Sequence, residues 1–513
     1  MKIKLIILAS LFLMISGGCE KFLEPQSESE IVPKKIESLN ELLLGEAYPR
    51  NNGRIFIETI LGVLDDDVEY VAFVPEEELP QSNLRESTFA CYSWQPDMFT
   101  TFRLFDYFSE SYYNTWRNAY RGIMGCNAVL DYIDNVSGTE YEKNSVTGQA
   151  LTLRGFYYFH LVNTYGQPYS YNKDALGVPL KLSSNLVIDG QPRNTVESIY
   201  NSILSDLTEA ENALLKLEEA DHWKPNYRIS LPMVQLLLSR VYLFVEDWSN
   251  AAIYAEKVIT NSNFSLIDLN NVPEGTEEKP YYNFLDYFNN PEVIWLYGQT
   301  QDAFYLSWIQ SMTNALASSG KDKALFKASD ALMSQYDNND LRPELYIISD
   351  YPNGRYKIPM GKIKVNEQIS PSNEAFGRSF RLAEAYLNAA EAYAMLNIQG
   401  EAADEAMLLI NDLQSKRFAS GTFVPLAGLT PEELLQEVRD ERRRELCFEG
   451  HRWFDLRRYG MPSIYHKWYD ETGLIIYTLQ NNDPGYTLPI PDEALLKNRQ
   501  LVQNPLASPR GAQ

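Results

Sequence analysis

Apolar residues recur at helical spacing over most of this chain. In WRNAYRGIMGCNAVLDYID, from Trp116 to Asp134, the residues Ala119, Tyr120, Ile123, Ala128, Leu130 and Ile133 fall near one face, which predicts an amphipathic helix. ALTLRGFYYFHLVNTYG, from Ala150 to Gly166, is apolar on most sides and predicts a buried helix closing at Gly166. NTVESIYNSILSDLTEAENALL predicts a helix with Asn194 as its N-cap and Glu197 at the capping-box position. Two further stretches, MVQLLLSRVYLFVEDWSNAAIYAEKVI and NAAEAYAMLNIQGEAADEAMLLI, superpose when Tyr242 is set on Tyr393. Ala251, Ala252, Ala255 and Ile259 then fall on Ala402, Ala403, Ala406 and Ile410. Each copy reads as a helix, a short turn and a second helix opening on small residues, which lets the two helices approach closely. That is the logic of a tetratricopeptide hairpin.

The periodicity lapses in two places. From Gly62 to about Ser109, and again between about Leu266 and Gly377, the chain is rich in Asn, Asp, Pro, Gly and aromatics, as in NVPEGTEEKPYYNF and DYPNGRYKIPMGK. These stretches predict long loops with short strands, and loops of that length inside a compact domain are often functional. The expected class is therefore all-α dominated: tetratricopeptide-like helical hairpins in an α-α superhelix, a few short strands, and a loop-rich, irregular face.

The first nineteen residues have a different pattern. Lys2 and Lys4 precede an apolar core from Leu5 to Ile15, then small residues lead to Cys19. The core is too short to span a bilayer and predicts an export signal. Small residues directly before a cysteine resemble a bacterial lipobox, in which Cys19 becomes the acylated N-terminus; ordinary signal cleavage with an incidental Cys19 is the alternative. Several acyl chains give stable anchoring. The expected division is 1–18 signal peptide, 19–35 acylated flexible tether, 36–265 N-terminal helical region with hairpins, 266–377 loop-rich insert, and 378–513 a C-terminal region completing the scaffold.

Charge narrows the function classes. A net charge of −24 argues against nucleic acid, whose phosphates it would repel. Cys91, Cys126 and Cys447 form no CxxC or Cys/His spacing, so buried free thiols are expected rather than a disulfide framework or metal site. Neither a metal nor a cofactor is called for. Asp65, Asp66 and Asp67 lack EF-hand spacing and read as a solvated acidic turn, with calcium ligation the alternative.

The densest charge lies in RDERRRELCFEGHRWFDLRRYG, Arg439 to Gly460, where seven arginines alternate with five acids. Thr430, Pro431 and Glu433 upstream make a capping box with proline at the first helical position. Glu441/Arg444 and Asp440/Arg444 fall at pairing distances, and Gly450 is placed to end the helix. His451 has no nucleophile motif near it, so an ionic network with a structural role is expected. Nor does anything single out the carboxylate pair of a glycosidase.

ERRRELCFEGHRWFDLRRYG resembles the C-terminal signature of the SusD-like (RagB/SusD) family of surface glycan-binding lipoproteins. LTLRGFYYFHLVNTYGQPY, RNTVESIYNSILSDLTEAENALL, FRLAEAYLNAAEAYAMLN and LPIPDEALLKNRQLVQNP agree with that resemblance, in the family's order. It implies a non-catalytic protein lipid-anchored at Cys19 and exposed on the outer membrane. Its partner would be a SusC-like TonB-dependent outer-membrane barrel, to which it delivers an oligosaccharide or polysaccharide ligand. A peptide- or other nutrient-binding subunit on the same architecture, and a surface glycosidase, are the competing classes.

A sugar site needs exposed aromatic platforms beside hydrogen-bonding side chains. Two loop clusters offer both. The first holds Asn83, Arg85, Tyr92, Trp94, Gln95 and Asp97, and its YxWxxD spacing resembles a family segment of the ligand face. The second holds Tyr281 and Tyr282, then Tyr305, Trp308 and Gln310. Trp116, Trp248, Trp295 and Trp453 are expected to be packing residues.

Overall fold

The structure is a computed structural model that describes residues 33–49, 61–70, 88–100, 115–223, 227–272, 290–298, 326–346, 348–351, 356–358, 376, 378–398, 405–470 and 473–511. Eleven of its helices matter here: α1 (Ile36–Leu42), α2 (Thr115–Tyr132), α3 (Glu140–Tyr165), α4 (Val196–Leu214), α5 (Leu231–Phe244), α6 (Trp248–Ile259), α7 (Leu382–Ile398), α8 (Glu405–Ser415), α9 (Pro431–Leu446), α10 (Arg452–Arg458) and α11 (Asp492–Lys497). From α2 to α7 they stack side by side in chain order, and α8 and α9 pack on α7.

The central helix is α3. A Thr139/Glu142 capping box starts it, every residue from Gly148 to Tyr165 is buried, and Gly166 is its C-cap. Burial on all sides explains why this stretch is apolar all round. A Cβ at Gly148 would lie 2.7 Å from Leu214 Cγ, so glycine is what lets α3 and α4 come this close. The next helix begins one residue later than its sequence predicts: Thr195, not Asn194, accepts from Ser198 N, while the Asn194 side chain accepts from Leu180 N (2.9 Å).

The two superposed stretches are helical hairpins, α5/α6 and α7/α8. In the first copy the small residues do what their spacing predicts, while Ala402 and Ala403 of the second lie outside the described residues. Ala251, Ala252 and Ala392 are buried with Leu243 between the hairpins, and Ser239 Oγ donates to Ala251 O (2.8 Å). Leu434 and Val438 of α9 extend the same core over Leu387, Ala406 and Ile410.

Strands appear as two-stranded ribbons. β1 (Val68–Tyr70) pairs with β3 (Phe326–Ala328), β2 (Val293–Tyr297) with β6 (Arg378–Arg381), β4 (Ile348–Tyr351) with β5 (Tyr356–Ile358), and β7 (Ile464–Asp470) with β8 (Gly473–Leu479), all antiparallel. Two of the ribbons knit the loop-rich stretch to flanking chain.

The charged segment is scaffold. The predicted capping box on Thr430 and Glu433 is present, as is Pro431 at the first position, and Arg444 pairs with Glu441 (2.8 Å). Asp440 instead accepts from Gln436 Nε2. Helix α9 ends at Leu446, four residues before Gly450, and Phe448 takes the first left-handed position (φ 62°). Arg442 bonds Asp455 and Asn388, Arg443 bonds Asp67, Arg452 bonds Asp66, and Arg458 bonds Glu391 and Asp455. The aspartate triplet is therefore not a solvated turn. Asp65 and Asp67 are buried, and Asp66 and Asp67 are the acidic partners of this segment from the far end of the chain.

At the centre lies Glu445. One carboxylate oxygen accepts from Arg381 (2.5 Å) and Arg417 (3.0 Å), the other from Arg342 and Arg417 (both 3.0 Å). Glu292, Asp340, Glu441 and Glu449 complete the lattice around the same three arginines. Burial pushes the Glu445 pKa up, but Arg417, Arg381 and Arg342 overcome that and hold it well below the usual carboxylate range. Replacing Glu445 by Ala removes the buried carboxylate that all three guanidinium groups share, and we expect a loss of about 3–5 kcal/mol in urea unfolding. A loss below about 1 kcal/mol would show that the lattice holds nothing together.

Candidate functional site

Residues 88–92 form a helical turn whose end reverses sharply at Trp94, a left-handed residue (φ 51°). The reversal turns the indole inward. Trp94 is fully buried, its Nε1 donates to Leu64 O (2.9 Å), and its ring stacks on His466 of β7 at 4.1 Å. Tyr92, equally buried, stacks on the opposite face of His466 at 4.0 Å, and its hydroxyl accepts from Tyr70 N (2.9 Å). These two rings are corrected from ligand platforms to packing rings, because neither offers a face to solvent. The ligand-face expectation treated their spacing as a surface pattern; the positive φ at Trp94 makes it a core pattern.

Gln95 is also occupied, by backbone groups of Arg510 in the C-terminal tail. Asp97, in contrast, is exposed on this segment. Asn83, Arg85, Tyr281, Tyr282, Tyr305, Trp308, Gln310 and Cys19 lie outside the described residues. Of the rings expected to pack, Trp116, Trp295 and Trp453 are buried and Trp248 is half-buried. Cys91, Cys126 and Cys447 are buried free thiols, and burial alone pushes the Cys91 thiol up to about 12. His451 stands at the N-cap position of α10 without a side-chain capping bond, its Nδ1 3.5 Å from Arg442.

His466 is the pivot of the three-ring stack. Its nitrogens face Tyr92 O (2.6 Å) and Asp65 O (2.8 Å); the neutral ring donates to one of the two carbonyls and lies against the other, so it packs between the 61–67 turn, the 88–92 turn and the β7–β8 ribbon. Burial favours the neutral ring and outweighs those two acceptors, pulling its pKa down to about 4.

A cleft of about 400 Å³ opens elsewhere, between α2, the loop from Pro179 to Gln191, and α11. Its wall carries Trp116 and Tyr120, one turn apart with rings 5.2 Å from each other. Arg117, Lys181, Glu493 and Lys497 are charged lining residues, and Leu186, Val187 and Leu501 are apolar ones. Glu493 accepts from both Arg117 and Lys497. Lys181 donates to Asn185 O. The lining unites positions more than 300 residues apart, which no local spacing announces; the only sequence signal was the helical pair Trp116 and Tyr120.

The helices form a tetratricopeptide-like scaffold, and the cleft lies where its loops and helix ends meet. Two family models match the chain in succession, one described as starch-binding associating with outer membrane over residues 22–243 and one as the SusD family over residues 266–506. SusD-like protein P25 of Formosa agariphila is 27% identical over 76% of this chain and 78% of its own length. SusD-like protein P2 of the same organism is 26% identical over 76% and 79%. Among solved structures, a SusD-like carbohydrate-binding protein from Bacteroides vulgatus has a TM-score of 0.65 at 21% identity, covering 91% of this chain and 97% of that one. A SusD superfamily protein from the same species reaches 0.68 at 19% identity, covering 93% and 100%. The chain belongs to the SusD-like family.

Two outcomes are expected of the ring stack. Trp94→Ala should cost about 3–5 kcal/mol in denaturant unfolding, since it empties a buried indole site. The folded pKa of His466 lies below its unfolded value, so its contribution is complete above about pH 6.5 and declines by roughly 3 kcal/mol as pH falls toward 4. Unfolding curves between those pH values should therefore be steeper for the native chain than for His466→Gln; equal slopes would mean that the ring titrates normally.

Proposed function

We propose that this chain is a non-catalytic, cell-surface glycan-binding lipoprotein of the outer membrane, which captures oligosaccharides and delivers them to a SusC-like TonB-dependent barrel. The observation that carries this reading is the pair of family matches, in order along the chain, one of them described as starch-binding and associating with the outer membrane. The basic-apolar-Cys19 leader supports a lipid anchor, and the carbohydrate-binding name of the Bacteroides vulgatus neighbour supports the ligand class.

In this reading the chain divides as its composition indicates: leader 1–18, tether 19–35, helical region 36–265, loop-rich insert 266–377 and C-terminal region 378–513. Ligand contacts fall on the loops, from Asn83 and Arg85 in the first loop-rich stretch, Tyr281, Tyr305 and Trp308 in the second, and Asp97, which is exposed. Aromatic faces there would meet sugar C–H groups while the polar side chains exchange hydrogen bonds with hydroxyls.

The test is affinity electrophoresis of the purified chain through gels containing a panel of polysaccharides, with product analysis alongside. Retardation by at least one polysaccharide without turnover is expected, and Trp308→Ala should weaken it about tenfold or more. Turnover would move the protein to the glycosidase class. Peptide binding with no glycan retained would favour a peptide-uptake subunit.

A further inference from the structure

The cleft beside α2 is charged against the sign of the whole molecule. The chain carries a net charge of −24, yet the lining of this cleft holds Arg117, Lys181 and Lys497 against the single carboxylate of Glu493. Each lysine ammonium has three N–H groups. Among the described residues, Lys497 directs one to Glu493 and Lys181 one to Asn185 O. Lys497 is also open to solvent, with 71% of its side chain exposed, and Arg117 has 44% exposed. Arg117 and Lys497 share Glu493, but unlike the buried lattice around Glu445 this pairing stands at the solvent-open mouth of the cleft.

The remaining lining is of another kind. Tyr120, half-buried, is the main aromatic surface from α2, with the small uncovered part of the otherwise buried Trp116 beside it, and Leu186 and Val187 stand at the lip as exposed apolar side chains. Leu186 is 91% exposed, and its loop is held at both ends: Asp131 accepts from Ser184 N and Oγ, and Gln500 Nε2 donates to Asp189 O and Gly190 O. Apolar lip, aromatic wall and cationic rim suit a ring with a C–H face and an acidic substituent. A neutral sugar would use the first two and leave the lysines idle.

The geometry points to this cleft as a subsite for an anionic sugar residue, one bearing a carboxylate or a sulfate ester, within the glycan that the protein captures. It rests on the glycan-binding reading above and adds to it a substrate class and a second place of contact. The overall charge strengthens the argument. A net charge of −24 repels a polyanion on the whole, so binding one requires a local reversal of sign within about a Debye length of the ligand.

The full chain in detergent is tested by affinity electrophoresis and calorimetry with three probes: hyaluronan for carboxylate, dextran sulfate for sulfate, and dextran as the neutral reference. Binding of at least one anionic probe is expected, about tenfold or more weaker for Lys497→Glu and weakened by added salt, with the responding probe identifying the acidic group. Arg117→Gln should act in the same direction. Retention by dextran alone overturns the anionic subsite and leaves the glycan-binding reading standing. Anionic binding that neither substitution changes also overturns it, because the contact then lies elsewhere. Retention by none of the three overturns the subsite, and only failure across the wider polysaccharide panel overturns the glycan reading as well.

Discussion

Everything in this fold has to accommodate the pairing of buried arginines. Arg342, Arg381 and Arg417 are all but inaccessible, and each reaches Glu445. They come from the loop-rich stretch, from β6 and from the end of α8, while Glu292 precedes β2. Removing so many charges from water offsets much of their mutual attraction, so a lattice of this kind contributes little by bulk energy alone. Its effect is geometric: the segments meet in the arrangement that leaves no charge stranded, which fixes an irregular stretch that has little hydrophobic periodicity of its own.

Two buried arginines follow a different rule. Arg193 donates to Tyr165 O, Leu176 O, Gly177 O, Val502 O and Asn504 Oδ1, and Arg457 donates to Gly166 O. Burial pulls both down to about 10, still charged at neutral pH. Both sit at the C-terminal end of α3, the longest of the labelled helices, where the carbonyls that lack an intrahelical partner carry partial negative charge. The helix end stands in for a carboxylate. Asn504 Nδ2 also donates to Tyr165 O, so the same helix end anchors the C-terminal tail.

How much of this could be read beforehand depends on distance along the chain. The Thr430/Glu433 cap, the buried α3 and both hairpins were legible because their signals repeat every few residues. The cap of α4 was misplaced by one residue, since Asn194 and Thr195 are both good caps and only the neighbouring loop decides that Asn194 serves Leu180 instead. The pairing of Asp66 and Asp67 with Arg452 and Arg443 joins positions more than 370 residues apart, so the triplet read as solvated. Trp94 misled for a related reason: a left-handed backbone at a tryptophan leaves no mark in the sequence, yet it reverses which way the indole points.

The same long-range ties explain why the two candidate surfaces differ in character. The 88–98 segment is clamped from below by His466 and from the side by Arg510, which donates to Trp94 O and to Asp483. Its buried rings therefore hold the segment against the β7–β8 ribbon. The cleft is bounded by helix ends and by a tail that Arg193 holds through Val502 and Asn504. A wall fixed at its backbone and open at Lys497 keeps its aromatic surface in place while its charges remain accessible to solvent. That combination suits a ligand recognised by ring shape first and by charge second, because the ring fixes the pose and the flexible lysines adjust to the acidic group.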